Sequence, residues 1–298
     1  MIPWSGRSLQ LLHELRLRGT IAAVASALSY SPSTVSHRLQ QLEREVGVPL
    51  LEPDGRGVRL TAAGETVARH AAAQLAAQER VEGSLAQLGA ELTPLRIAAL
   101  QSATRTIVPT MLSALAAELP ALRVEVAVIP PEQGLAEVEA GGLDLVMAEQ
   151  YPGRTRPRPP ALDRELLGRD PIRLAVAPGS PASSLADVRD APWVMEPVGT
   201  AARDWAVQQC RAAGFEPDIR HEATDLSAHL RLIAAGHAVG LVPGLAVAAD
   251  EAAPRLVDLP GAPHREIFTS ARASAAGLPG VRAARRVLAE AFGALRGT

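Results

Sequence analysis

A helix of fixed phase between residues 31 and 47 constrains this chain more than any other segment. Ser31 is placed to cap it, Pro32 takes the first helical position, and Gly47 can adopt the left-handed conformation that stops a helix. Val35, Leu39, Leu42 and Val46 fall at i, i+4, i+7 and i+11. They make one apolar stripe, which must be packed against a neighbour. The opposite side carries Ser33, Thr34, Ser36, His37, Arg38, Gln40 and Gln41.

The flanking segments predict that neighbour. Leu9, Leu12 and Leu15 set the phase of a first helix that stops at Gly19, and Thr20 is an N-cap for a second that runs to Leu28. After Gly47, Pro49–Leu51 and Val58–Leu60 flank the turn Asp54-Gly55-Arg56-Gly57, a hairpin signal. Three helices and a β-wing predict a winged helix-turn-helix, whose third helix enters the DNA major groove. Hydroxyl, amide and guanidinium groups are what base edges and phosphates require. The candidate DNA contacts are therefore Ser31, Ser33, Thr34, Ser36, His37, Arg38, Gln40 and Gln41, with Arg56 at the wing tip. Residues 1–60 hold seven Arg against five acidic residues. With so mild a local excess, two half-sites read by a dimer are needed. Glu14, Glu43, Glu45, Glu52 and Asp54 must then point away from phosphate.

A long helix is predicted from Thr61 to Leu92. Its Val81, Leu85, Leu88 and Leu92 repeat as a stripe that nothing earlier in the chain is left to cover. Beyond Pro94, strands and helices alternate. One series has strands at 95–100, 124–129 and 143–148 with helices at 105–118 and 132–140. A second has strands at 173–177, 193–196, 219–223 and 240–242 with helices at 200–213 and 225–235. A strand near Ile267 and a helix over 279–295 close the chain. Such alternation indicates a parallel α/β sheet. Residues 152–160, rich in Pro and Arg, predict a loop and candidate hinge.

Composition sets outer bounds. The formal net charge is −2, so any nucleic-acid surface is local. Lys and Asn are absent and all 30 basic residues are Arg, which excludes a phosphate-loop lysine, a Schiff base and a Ser–Lys dyad and indicates a gene from a high-GC bacterium. The one cysteine, Cys210, excludes an internal disulfide and a multi-cysteine metal site, fits a reducing cytoplasm and reads as a small buried side chain. Trp193 and Trp205 read as core. No secretory signal and no uncharged run of transmembrane length is present.

Residues 19–64 carry a resemblance. The run Gly19-Thr20-Ile21-Ala-Ala-Val, then Ser31-Pro-Ser-Thr-Val-Ser36-His-Arg-Leu-Gln-Gln-Leu-Glu43, Gly47-Val-Pro-Leu-Leu51 and Arg56-Gly-Val-Arg-Leu60-Thr61-Ala-Ala-Gly64 resembles the head of LysR-type transcriptional regulators. Ile21 stands where that pattern has an aromatic residue, Pro32 where it has Gln, and Leu51 and Pro53 where it has Phe and Arg. At lower specificity the likeness spans the chain. It implies dimerisation through the 61–92 helix, a homodimer or homotetramer, and a two-lobed effector domain like a periplasmic binding protein. The implied division is a head over 1–60, a linking helix over 61–92 and an effector domain over 93–298. Lobe I is then 93–163 with 265–298, and lobe II is 164–264.

By position, the resemblance implies effector contacts at Ser102, Thr200 with Ala201, and Asp225. Arg105 and Arg203 stand close to these helix starts, which suit an anionic effector. Each of Ser102, Thr200 and Asp225 is equally an ordinary N-cap. Pro130-Pro131 replace a polar group usual in the family, which speaks against a carboxylate ligand.

No G-x-S-x-G, H-E-x-x-H or G-x-G-x-x-G pattern occurs and the histidines lack ligand spacing. The expectation is therefore a cytoplasmic regulator with no enzymatic activity, cofactor, metal or membrane partner, which binds double-stranded DNA and a small molecule. The alternative is a ligand-binding or partner-binding protein whose head does not read DNA.

Overall fold

A computed structural model describes residues 4–55, 57–88, 93–156, 158–248 and 254–295. The head begins with α1 (Gly6–Arg18), α2 (Ile21–Ala27) and α3 (Pro32–Val46). Each start and stop has its local cause. Gly19 and Gly47 close α1 and α3 in the left-handed region, at φ 76° and 84°. Thr20 and Ser31 accept from Ala23 and Thr34 backbone N–H as N-caps. The stripe residues Val35, Leu39 and Leu42 are buried against Leu11, Leu12, Leu15 and Val24. Each contributes roughly 1.5–3 kcal/mol by leaving water. Strands β1 (Leu51–Asp54) and β2 (Gly57–Leu60) pair antiparallel as the wing. Arg56 lies outside the described residues.

Helix α4 (Ala62–Gln87) follows. It packs on α1 with Val67, Ala68 and Ala71, and then leaves Val81, Leu85 and Leu88 exposed at 58, 50 and 84%. Leu92 of the predicted stripe lies outside the described residues.

The C-terminal half begins with β3 (Leu95–Ala99), a 3-10 turn at Gln101–Ala103, α5 (Ile107–Glu118), β4 (Val124–Val128), α6 (Pro131–Ala140) and β5 (Leu145–Gln150). Then come β6 (Leu162–Val176), a 3-10 turn at Ala186–Val188, β7 (Pro192–Met195), α7 (Ala201–Ala212), β8 (Asp218–Glu222), α8 (Leu226–Ala234), β9 (Gly240–Pro243) and α9 (Gly244–Val247). The described chain ends with β10 (Arg255–Val257), β11 (His264–Arg272) and α10 (Pro279–Ala294). Among the described residues, seven strands join in the order β10-β6-β11-β5-β3-β4, with β9 also on β6. β3 pairs in parallel with β4 and β5, and β7 with β8.

The parallel pairing expected from the alternation holds for β3, β4 and β5 and for β7 and β8, and antiparallel strands join it. β11 runs antiparallel to β5 and β6, and β9 and β10 run antiparallel to β6. The 15-residue β6 is legible in the sequence only at its apolar end. Its first part, with Asp163, Arg164, Glu165, Arg169 and Asp170, has no clean apolar alternation. Two large cores result. One gathers Ile97, Ile107, Met111, Ile267 and Leu288, and the other gathers Ile172, Leu174, Trp193, Trp205 and Cys210. The neighbouring strands β6 and β11 connect the two lobes, so these strands rather than the 152–160 loop are the crossing.

The head is tied to lobe I. Arg18 donates to both carboxylate oxygens of Glu137 on α6, at 2.7 and 2.8 Å, and to Glu14 at 2.6 Å. Arg272 of β11 and Ser274 both reach Glu79 of α4.

Candidate functional site

Two surfaces hold the predicted residues. On α3 the side opposite the core is exposed or half-buried, and among the described residues the helices packed most closely on α3 are α1 and α2. Ser31, Ser33, His37, Gln40 and Gln41 are exposed, and Thr34, Ser36 and Arg38 are half-buried. The Ser31 hydroxyl meets those of Ser33 and Thr34, each at 2.8 Å. Gln41 donates to Glu45 at 2.9 Å. Arg38 lies over the Tyr30 ring at 5.9 Å, and Arg7 donates to the Tyr30 hydroxyl at 2.6 Å. No sequence signal singles out Arg7 and Tyr30, because nothing local places the first helix beside the start of the third. The acidic residues of the head mostly face inward or sideways. Glu14 is buried on Arg18, Glu52 pairs with Arg59 at 2.8 Å, and Glu43 accepts from Leu50 and Leu51 N–H at 2.8 and 3.0 Å. Glu43 thus fixes the root of the wing to α3.

The second surface is a cavity of about 380 Å³ between the lobes. Its wall comes from the ends of β3, β4, β5 and β7 and the starts of α6, α7 and α8. Ser102, Thr200 and Ala201 are on it. Asp225, Arg105 and Arg203 are beside it. Asp225 caps α8 and accepts from Gln101 across the lobes at 2.9 Å, while Arg105 donates to Ser227 at 3.1 Å. Arg203 turns to Glu222 at 2.5 Å and to the Glu196 carbonyl at 3.1 Å. Thr200 caps α7, accepting from Arg203 N–H at 3.3 Å. Ser102 is no cap: it lies buried in a 3-10 turn.

The charged residues of the wall carry no sequence signal. Arg265, at 3% exposure, donates to Ser102 Oγ at 2.6 Å and to Asp170 at 2.9 Å, and it bonds Glu149 as well. Burial opposes its charge, but Glu149 and Asp170 outweigh burial and hold the guanidinium ionised. Arg156 pairs with Glu132 at 2.8 Å and donates to the Glu149 carbonyl at 2.6 Å. Glu196 follows β7, and its carboxyl is pushed up to about 7 by burial first and by Glu149 second. A carboxyl that is hard to ionise in the fold and easy in the open chain makes stability fall as pH rises. Stability should fall by up to about 3 kcal/mol between the ordinary Glu value of 4.5 and 7. Urea melts across that range test this, and Glu196→Gln should flatten the slope.

The comparisons with known proteins agree with this layout. Residues 7–65 match the family model for the bacterial regulatory helix-turn-helix protein, lysR family, and residues 89–293 match the LysR substrate binding domain. The chain belongs to the LysR family. It is a DNA-binding transcriptional regulator with an effector-binding domain, in a family of regulators rather than enzymes. The HTH-type transcriptional regulator AlsR of Bacillus subtilis is 31% identical over 237 residues, 74% of each chain. A hydrogen peroxide-inducible genes activator of Escherichia coli O157:H7 is 27% identical over 261 residues, covering 85% of this chain and 84% of the relative. A full-length OxyR variant from Pseudomonas aeruginosa superposes with a TM-score of 0.68 at 20% identity, over 98% of this chain and 95% of its own. Full-length CbnR complexed with its target DNA superposes with a TM-score of 0.53 at 24% identity, over 95% and 99%. No helix among the described residues of this LysR-family chain is long and apolar enough to cross a membrane.

Proposed function

We propose that this chain is a cytoplasmic, effector-controlled regulator that reads a dyad-symmetric DNA site as a homodimer or a dimer of dimers. The observation that carries the reading is the uncovered polar side of α3, with Ser33, His37, Gln40 and Gln41 exposed above a rigidly packed apolar stripe. Such a helix can enter a major groove without rearrangement of the head. The division into a head over 1–60, a linking helix over 61–92 and an effector domain over 93–298 belongs to the same proposal, supported by the two matched segments.

The occupant proposed for the bare stripe Val81, Leu85 and Leu88 is the same stripe on a second copy. Three exposed side chains in one phase are a costly surface in water and a fitting seam for a helix pair. The ligand is proposed to bind in the cavity between the lobes, against Ser102, Thr200 and Ala201. A dissolved ligand is favoured over thiol oxidation as the signal, although peroxide-inducible activators stand among the relatives. Cys210 is buried and its thiol is pushed up to about 12 by that burial, whereas reaction with peroxide needs an accessible thiolate.

The test is a DNA titration with the dyad-symmetric site near the chain's own promoter and a random duplex of equal length. The specific site should bind at least about 1000-fold more tightly. Arg38→Ala should cost about 1–3 kcal/mol on the specific site and far less on random DNA if Arg38 reaches a base edge. Equal affinity for both duplexes refutes the regulator reading in favour of a head that does not read DNA.

A further inference from the structure

The cavity between the lobes has an electrostatic character that the helix starts around it do not reveal. Both cations on its wall are already engaged by the protein. Arg265 spends its donors on Glu149, Asp170 and Ser102. Arg156 spends its own on Glu132 and the Glu149 carbonyl. An incoming carboxylate or phosphate that drew Arg265 away would leave the buried Asp170, and Glu149 with it, without a counter-charge, and at Arg156 it would compete with the exposed Glu132.

The places where an anion could otherwise sit are also occupied or weakened. At the start of α6 the wall is Pro130-Pro131, and neither proline has an N–H to offer. At the start of α7, where the helix dipole favours negative charge, the protein supplies its own: the Glu196 carboxyl stands beside the Thr200 hydroxyl. Among the described residues no arginine or histidine pairs with Glu196 at salt-bridge distance. The rest of the wall is mostly apolar, with Leu100, Val128, Ile129, Ala201 and Leu226 beside the polar Gln101 and Thr224.

We propose that the cleft takes an organic cation, an ammonium or amidinium group seated on Glu196 with an apolar body lying against Leu100, Val128 and Ile129. This rests on the reading of the cleft as the effector site, and it replaces the anionic effector expected from the helix starts. A cation at Glu196 supplies a counter-charge that no arginine or histidine among the described residues offers at salt-bridge distance, and gains strength from the burial of the carboxyl. The wall's volume of about 380 Å³ suits a ligand of some ten heavy atoms or more.

The seat is pH-sensitive, and the groups facing Glu196 are known. They are Glu149 and Tyr151 from β5 and its end, Glu132 from α6, Arg265 from β11, Arg203 from α7 and His229 from α8. His229 is held below its ordinary value by burial, so between roughly pH 6 and 8 Glu196 is the group whose charge changes most. Cation binding therefore strengthens as pH rises.

The experiment uses the full-length chain and matched probes that share a skeleton and differ in charge. These are unbranched phenylalkyl amines and the corresponding carboxylates, with two to four methylenes, titrated by calorimetry. The amines should bind, and about tenfold more tightly at pH 8 than at pH 6. The carboxylates should bind at least about tenfold more weakly than the amines at pH 8. Glu196→Gln should weaken the amines by about tenfold or more and erase their pH dependence. Glu196→Asp keeps the charge and should retain the preference for amines, which covers the case in which the first variant folds poorly. Carboxylates binding more tightly than amines, amine affinity indifferent to Glu196→Gln, or no amine binding at all would each overturn the proposal. A DNA titration on the same sample separates the two readings. Operator binding with an anion-preferring cleft removes the ligand class alone, while loss of operator specificity removes the regulator reading whatever the cleft binds.

Discussion

Arg265→Met is expected to lower the unfolding free energy of the effector half by about 3–5 kcal/mol. Arg265 is 3% exposed and stands between Glu149 on β5 and Asp170 on β6, with Ser102 from the turn after β3 on its third side. Methionine fills much of the volume and removes the charge. Two carboxylates then remain in a low-dielectric site with no cation between them. Asp170 has a further duty, accepting from the Leu245 N–H at 3.0 Å, so it cannot swing away to solvent. Denaturant unfolding followed by the fluorescence of Trp193 and Trp205, both in the second lobe's core, reads the change. Adding Glu149→Gln and Asp170→Asn to Arg265→Met should recover most of the loss, because the neutral network no longer strands a charge. If Arg265→Met unfolds within about 1 kcal/mol of the parent, the arginine does not hold the lobes together and the account of the cleft wall fails.

Gly64→Ala, at the start of α4 where it meets the wing of the head, should cost about 3 kcal/mol. A Cβ built at Gly64 overlaps the Leu50 carbonyl oxygen and stands 3.2 Å from Leu60 Cβ. Both neighbours belong to the base of the wing, which is held there twice over. Thr61 N–H donates to the Leu50 carbonyl at 2.9 Å, and the Thr61 hydroxyl donates to Pro49 O at 2.8 Å while accepting from Gly64 N–H at 3.0 Å. A methyl group there must push α4 off the wing or break those bonds. The loss should appear as a lower melting temperature of the head, and as weaker DNA binding because the wing and α3 no longer share one frame. A Gly64→Ala head melting within about 2 °C of the parent would show that the approach is not tight.

Much of the head was legible because its signals are local. Ser31, Pro32 and Gly47 bound α3 through bonds no longer than one turn, and the spacing of Val35, Leu39 and Leu42 set its buried face. The same holds for Thr20, Thr200 and Asp225, each of which caps the helix it precedes. The burial of Cys210, Trp193 and Trp205 followed from residue type alone. The long strand β6 was less visible, since the partners of its charged first half lie on β11 and α10, far away in the sequence. Arg285 of α10, for example, bonds Asp163 and Glu165.

What the residue order determined by itself, then, is every feature whose partners sit within a few positions: the helix starts and stops, the apolar stripes, and the polar side of α3 that faces outward. The charge of the cleft was decided by folding. Arg265 meets Asp170, Glu149 and Ser102 across 95, 116 and 163 positions of chain, and Glu196 is left without such a partner. The physical reason is range: caps and periodicity act through neighbouring bonds, whereas a buried charge answers to whatever the sheet brings within a few ångströms, however distant along the chain.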